Sequence, residues 1–273
     1  MTATIDKIGA LEILDDLGTG ANSRVLRVRR AADGREYALK VVTIGSDRDQ
    51  KYLAQARQEY RVGRLLDHPN LVKVYCFETE TGWWFRVRRA RLLLEYVPGQ
   101  TLDQGPPLKP SQLIPVFERV AAAVAHMHAR GVVHADLKPN NILSGPAGVR
   151  VIDFGLARVR GDRVKRLQGT PEYMAPETAA TKAVDERTDV FNLGATMYRL
   201  VTFRYPPAPP PGMTLGERSY RRLLTPVGEL NPDAPPGLCD LIHRCLSYRA
   251  GDRPGSMRDV RAALARLARP AGA

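Results

Sequence analysis

Strand-like segments fill the first hundred residues of this chain and amphipathic helices fill the rest, with the change at Pro98-Gly99. Nothing else in the sequence limits the fold so strongly. Residues 11–14 and 25–28 alternate as strands on either side of a turn at Gly18-Thr19-Gly20, and residues 37–42 predict a third strand. Residues 49–66 carry Leu53, Ala56, Tyr60 and Leu65-Leu66 at helical spacing, closed by Asp67-His68-Pro69-Asn70. Residues 71–78 and 83–96 predict two further strands. Past the change, residues 111–130 predict an amphipathic helix, apolar at Val116, Val120, Val124 and Met127 and ended by Gly131. Helices are also expected over 188–201, 237–246 and 256–267, with a surface loop at the proline-rich 206–211. A small β-rich lobe followed by a larger helical lobe is an α+β arrangement, and the junction of two such lobes is a natural cleft.

Composition removes several classes. No apolar run approaches the roughly 20 residues needed to span a bilayer. The N-terminus carries Asp6, Glu12, Asp15 and Asp16 and lacks a signal-peptide core. Cys76, Cys239 and Cys245 are too few and too scattered for a disulfide framework or a zinc site, so the expected location is the cytoplasm, with reduced thiols. The net charge is +12, and 33 of the 41 basic residues are Arg. That excess suits a polyanionic partner or an arginine-biased solvated surface, and composition alone favours the surface.

Chemistry concentrates in three places. Between the first two strands lies Leu17-Gly18-Thr19-Gly20-Ala21-Asn22-Ser23-Arg24-Val25, whose glycines let backbone N–H groups approach phosphate oxygens. By itself this is better explained as a plain hairpin turn. Lys40 sits in the apolar strand Tyr-Ala-Leu-Lys, and Glu59 follows on the helix; a lysine there needs an anionic partner unless it lies at a solvated strand end. The decisive run is His134-Ala135-Asp136-Leu137-Lys138-Pro139-Asn140-Asn141, followed by Val151-Ile152-Asp153-Phe154-Gly155. It supplies a carboxylate able to accept a hydroxyl proton and a lysine to neutralise phosphoryl charge. It also supplies two hard-oxygen side chains suited to Mg²⁺.

From about residue 11 to 267 the chain resembles a eukaryotic-type protein kinase catalytic domain, most similar to those of bacterial serine/threonine kinases. The resemblance implies a bilobal kinase domain over 11–268, with an N-lobe of about 11–97 built on a β-sheet and one key helix. A larger helical C-lobe would cover about 98–268, leaving tails 1–10 and 269–273. It implies ATP and Mg²⁺ as cofactors, with Mn²⁺ as an alternative, and proteins bearing Ser or Thr as substrates. Leu17, Gly18, Thr19, Gly20, Ala21, Asn22, Ser23, Arg24 and Val25 would cover the nucleotide. Lys40, paired with Glu59, would hold the α- and β-phosphates. Glu95 and Val97 would offer backbone groups to adenine, between Val25, Ala38 and Leu143. Asp136 would be the catalytic base, Lys138 the phosphate-contacting lysine, and Asn141 and Asp153 the metal ligands. Glu177 is expected to pair with Arg253 in a buried site, and Asp189 to accept backbone N–H groups of the catalytic loop. Both are structural tasks.

Three departures matter. Ser23 replaces the third glycine of the loop over ATP. Ala135 stands where relatives place an arginine that clamps an activation-loop phosphate, and residues 156–169 contain no Ser, Thr or Tyr to phosphorylate. The two absences agree, so activity is expected not to depend on activation-loop phosphorylation, and Thr170 is expected to steady Asp136 and Lys138. Thr101 and Asn140 occupy places that are acidic in arginine-directed relatives, while Arg158, Arg160, Arg163, Lys165 and Arg166 populate the loop. Coulomb attraction then favours acidic peptides.

Trp83-Trp84-Phe85-Arg86-Val87-Arg88-Arg89-Ala90-Arg91 interleaves aromatics with arginines as single-strand nucleic-acid platforms do. An amphipathic strand with one packed and one solvated face accounts for the same pattern, so nucleic acid is disfavoured as a partner. His134 is expected as a packed core residue, and His126 and His128 as members of the preceding helix. A pseudokinase scaffold would lack Lys40, Asp136 or Asp153, and all three are present. A small-molecule phosphotransferase would lack Gly169-Thr170-Pro171-Glu172-Tyr173 and Ala175-Pro176-Glu177. Bacterial relatives commonly carry a membrane helix and a sensor domain after the catalytic domain. With neither in the sequence, a freestanding protein or one regulated by another chain is expected. Nothing in the sequence fixes an oligomeric state.

Overall fold

Strands of eight or nine residues assemble the first part of the chain into a five-stranded antiparallel sheet. The computed structural model describes residues 7–20, 22–162, 169–209, 213 and 215–269. The strands are β1 (Leu11–Thr19), β2 (Ser23–Arg30), β3 (Glu36–Thr43), β4 (Val74–Thr81) and β5 (Val87–Glu95), in the sheet order β1-β2-β3-β5-β4, with helix α1 (Gln50–Gly63) between β3 and β4 in the chain. Leu26, Val28, Tyr37, Leu39, Cys76 and Leu93 bury their side chains together, and Ile8, from the expected N-terminal tail, joins them. Arginines alternating with these apolar positions are paired: Arg27 with Glu36, Arg29 with Glu12, and Arg91 with Glu78. These arginines are therefore matched across strands.

Helix α1 turns Leu53, Ala56, Glu59, Val62 and Gly63 to its buried side. That spacing puts one carboxylate, Glu59, among apolar groups. Gly63 is required by proximity, since a methyl group there would overlap the Val74 side chain. The helix ends at Gly63, short of the expected residue 66. Two expected strands also differ. Residues 71–73 precede β4, and residues 83–85 form a 3₁₀ turn (Trp83–Phe85) rather than strand. Gly82 N donates to the Arg86 carbonyl at 2.8 Å and closes the chain into a hairpin tip before β5 begins. Trp83 and Trp84 consequently stand in solvent, and the packed-face explanation of their alternation does not hold.

A second compact unit runs from Gly99 to Ile152 and from Ala157 onward, while Asp153–Leu156 cluster with the sheet unit. Its strands are short: β6 (Gln100–Thr101), β7 (Val132–Val133), β8 (Ile142–Gly145), β9 (Gly148–Val151) and β10 (Arg158–Val159). Its helices are α2 (Pro110–His128), α3 (Pro176–Thr181), α4 (Glu186–Thr202), α5 (Glu217–Leu223), α6 (Val227–Leu230), α7 (Pro236–Cys245) and α8 (Met257–Leu267). In α2 the buried stripe is Leu113, Phe117, Val120, Val124 and Met127. It is set by Phe117, which buries more area than Val116, and Val116 stays half-buried. Asp185 caps α4, its carboxylate accepting from the N–H groups of Arg187 and Thr188. From Thr188 to Tyr198 every residue of α4 is buried, so it forms the centre of this unit. No disulfide forms, and burial pushes the Cys245 thiol up to about 12.

One packing detail carries a pH prediction. Val227 N donates to His243 Nε2 at 3.1 Å, which requires that nitrogen unprotonated, and burial lowers the ring's pKa against the opposing pull of Asp240. Below the ordinary histidine value of about 6.5 the unfolded chain takes up a proton that the folded ring resists. Stability from this group is therefore present above that pH and lost as the pH falls through the folded value. His243→Gln should show a shallower fall in Tm between about pH 7 and pH 5 than wild type. Equal slopes would reject this role for His243.

Candidate active site

In the sheet unit, β3 carries Lys40 inward beside α1. Lys40 Nζ lies 2.6 Å from Glu59 Oε2 and 3.5 Å from Asp153 Oδ1. Burial opposes the ammonium, but the two carboxylates outweigh it, and the Lys40 pKa is raised. Burial pushes the Glu59 carboxyl up, while Lys40 pulls it down. The lysine is thus a fixed, permanently charged cation. Asp153 holds a left-handed backbone, φ +64°, with Oδ1 accepting from Gly155 N at 3.1 Å.

The expected nucleotide loop is partly self-engaged. Thr43 N donates to the Asn22 carbonyl, Asn22 Nδ2 donates to the Thr43 carbonyl at 3.2 Å, and Arg24 pairs with Asp16 at 2.6 Å. Gly20 N donates to the Ser23 carbonyl at 2.7 Å. Leu17, Gly18 and Thr19 are exposed at the end of β1, with Gly18 opposite Val25, and Val25 opposite Lys40. Ala21 lies outside the described residues. Ala38 is buried on β3. Glu95 donates its N–H to the Lys73 carbonyl at 2.8 Å, so any part it plays toward adenine falls to its own carbonyl. Val97 is buried in the sheet unit, and Leu143 is half-buried on β8 of the helical unit.

In the helical unit, the catalytic-loop residues converge on Asp136, which is 8% exposed. Lys138 Nζ donates to Asp136 Oδ2 at 2.8 Å and to Thr170 Oγ1 at 2.7 Å. Thr170 approaches Asp136 Oδ1 through both its N–H and its hydroxyl, each at 3.3 Å. Asn141 Nδ2 donates to the Asp136 carbonyl at 2.8 Å, which turns the oxygen of its planar carboxamide the other way. A base, a cation and a hydroxyl are thereby held in one hydrogen-bonded set. Of the activation-loop cations, Arg158 and Arg160 are described, whereas Arg163, Lys165 and Arg166 lie outside the described residues.

Beneath the loop, Asp189 is fully buried and accepts from His134 N and Ala135 N, both at 2.8 Å. These bonds hold Ala135 at φ +66°, a backbone conformation that an unsupported alanine avoids. His128 Nε2 lies 2.8 Å from the same carboxylate. Sequence reading treated His128 as an ordinary helix residue and missed this role; it is 61 positions from its partner, and its spacing on α2 is that of a core residue. Arg253 donates to both oxygens of Glu177, at 2.8 and 2.7 Å, as expected. Asn140 donates to the exposed Asp103 carboxylate at 3.0 Å. An acidic group therefore stands beside the catalytic loop, and the expectation of acidic peptides loses half its basis.

This fold class is that of protein kinase catalytic domains, and the chain belongs to that family: the protein kinase domain model matches residues 11–264. Among curated proteins, the chain is similar to the serine/threonine-protein kinase pkn3 of Myxococcus xanthus, at 31% identity across 91% of this chain and 48% of that protein. It is 27% identical to the serine/threonine-protein kinase PrkC of Bacillus subtilis, across 86% of this chain and 37% of that protein. The serine/threonine-protein kinase PknB of Mycobacterium leprae is 34% identical across 70% of this chain and 32% of its own length. The chain thus spans less than half the length of these relatives. Members of the family use ATP and divalent metal ions. Among the described residues no cluster of three or more His, Cys, Asp or Glu could hold a metal by itself.

Proposed function

We propose that this chain transfers the γ-phosphoryl group of ATP to serine and threonine hydroxyls of proteins in the cytoplasm. The observation that carries the reading is Asp136, presented with Lys138 and Thr170 already in contact. Asp136 accepts the hydroxyl proton as the substrate oxygen attacks the γ-phosphorus and the bond to the bridging β–γ oxygen breaks, releasing ADP. Lys138 offsets charge on the transferring group, and Lys40, fixed by Glu59, binds the α- and β-phosphates. Asn141 and Asp153 would hold Mg²⁺ through oxygen, and Mn²⁺ suits the same donors; the bound ion supplies neutralisation of phosphate charge. The glycine-rich loop and the backbone carbonyl of Glu95 would position the nucleotide.

Activation-loop phosphorylation has no part in this reading. Ala135 has no guanidinium to read a phosphate, and Thr170 meets Asp136 through its own N–H and hydroxyl. The experiment is transfer from radiolabelled ATP to a generic protein acceptor, before and after phosphatase treatment of the enzyme. Label is expected on phosphoserine and phosphothreonine, with the rate unchanged within about twofold, a difference near 0.4 kcal/mol in barrier. Phosphotyrosine as the main product, or loss of most activity traced to a phosphate on the activation loop, would sink the corresponding part of the proposal.

A further inference from the structure

The only two tryptophans of the chain stand side by side at the β4–β5 tip, and both indoles are in solvent, Trp83 84% and Trp84 87% exposed. Large aromatic side chains ordinarily supply much of a core, so two adjacent rings left outside mark a contact surface more than an accident of packing. The tip is built to hold them there. Trp84 adopts φ +61°, a left-handed conformation unfavourable for a bulky residue. Gly82 leaves room for the Arg88 side chain, which any side chain at that position would overlap.

Cations surround the rings. Arg86 is 79% exposed with its nearest carboxylate, Asp47, at 3.9 Å, and Arg89 is 60% exposed with Glu80 at 3.7 Å. Exposed pairs this long hold their partners weakly. Arg88 forms no ion pair among the described residues. The tip therefore combines two apolar rings with three available guanidinium groups.

We propose that this tip contacts an anionic bilayer surface, with Trp83 and Trp84 entering the headgroup layer and Arg86, Arg88 and Arg89 meeting lipid phosphates. Tryptophan favours that layer because one end of its ring system is apolar and the other can donate a hydrogen bond. A bilayer is fluid and closes around a convex turn. Two indoles offer roughly 300–500 Å², well short of the roughly 800 Å² that each partner of a stable protein pair buries. Single-stranded nucleic acid needs a groove that follows its backbone and spaces the rings for successive bases. Adjacent residues on a tight turn provide neither. The net charge of +12 adds attraction toward an anionic surface. No described helix is long and apolar enough to cross a membrane.

Because both tryptophans sit at the tip, tryptophan emission, excited at wavelengths that the ten tyrosines do not absorb, reports on it alone. Vesicles of equimolar phosphatidylcholine and phosphatidylglycerol should shift the emission to the blue and co-sediment the protein, whereas pure phosphatidylcholine should do little. Trp83→Ser with Trp84→Ser should weaken co-sedimentation by at least about tenfold, and neutralising the three arginines to Gln should cost about fivefold each. An unshifted wild-type spectrum with anionic vesicles would overturn the proposal, and this measurement needs no variant to fold. So would co-sedimentation undiminished in the double serine variant, or quenching by a single-stranded oligonucleotide without any response to vesicles.

Discussion

Asp136→Asn is expected to lower phosphotransfer by about 10²–10⁴-fold while leaving thermal stability and nucleotide binding near wild type. The side chain keeps its size, and Asn141 still donates to the backbone carbonyl of residue 136, although the single amide oxygen can serve either Lys138 or Thr170 and not both. What disappears is the anionic lone pair that receives the hydroxyl proton. Nucleotide affinity is assigned to the set around Lys40, in the other unit, and that set is untouched. Thr170→Ala provides the contrast. It removes one hydroxyl that Lys138 and Asp136 share, without removing the base, so a loss of about tenfold is expected. Thr170→Ser, which restores the hydroxyl, should recover most of it. Steady-state kinetics on the three variants separates the roles: the Asp136 loss belongs in kcat, with the KM for ATP unchanged. If Asp136→Asn kept more than a tenth of wild-type kcat, Asp136 would not be the base.

How much of this could be read from the residues differs from place to place. The Lys40–Glu59 contact was legible because a lysine in an apolar strand demands a carboxylate and the next helix offered one on its apolar side. The 76-residue separation of Glu177 and Arg253 is beyond any local pattern, and only the family resemblance joined them. His128 went unread because a histidine on the inner face of an amphipathic helix gives no sign of a distant aspartate. Asp103 was missed for a related reason. It becomes relevant only through the side chain of Asn140, 37 residues later. At residues 83–85 the alternation of ring and charge suggested strand, yet Gly82 and the 3₁₀ turn prevailed, since turn closure by the Gly82–Arg86 hydrogen bond fixes the backbone whatever the side chains prefer. Local periodicity carried most elements and failed at the 83–85 turn, while long-range polar contacts were legible only where the family resemblance supplied them.

Glu177→Ala is expected to destabilise the helical unit by about 3–5 kcal/mol, a large part of the roughly 5–15 kcal/mol available to a domain. The Arg253 side chain is wholly buried, and Glu177 is its one carboxylate partner among the described residues. Removing Glu177 strands a guanidinium that cannot shed its proton. The remaining contacts soften that cost. Arg253 also donates to the carbonyls of Ser247, Arg187 and Tyr248, and its guanidinium lies 4.9 Å from the centroid of the Phe191 ring. The lower end of the range is therefore the better expectation. Glu177→Leu with Arg253→Met removes both charges and fills similar volume, so the double variant should be more stable than Glu177→Ala alone. Urea unfolding decides between these outcomes: the midpoint should fall most for the single variant, with an unchanged slope. A Glu177→Ala loss below about 1 kcal/mol would mean that the three carbonyls suffice to solvate Arg253, and that the pair fixes geometry more than it stabilises the fold.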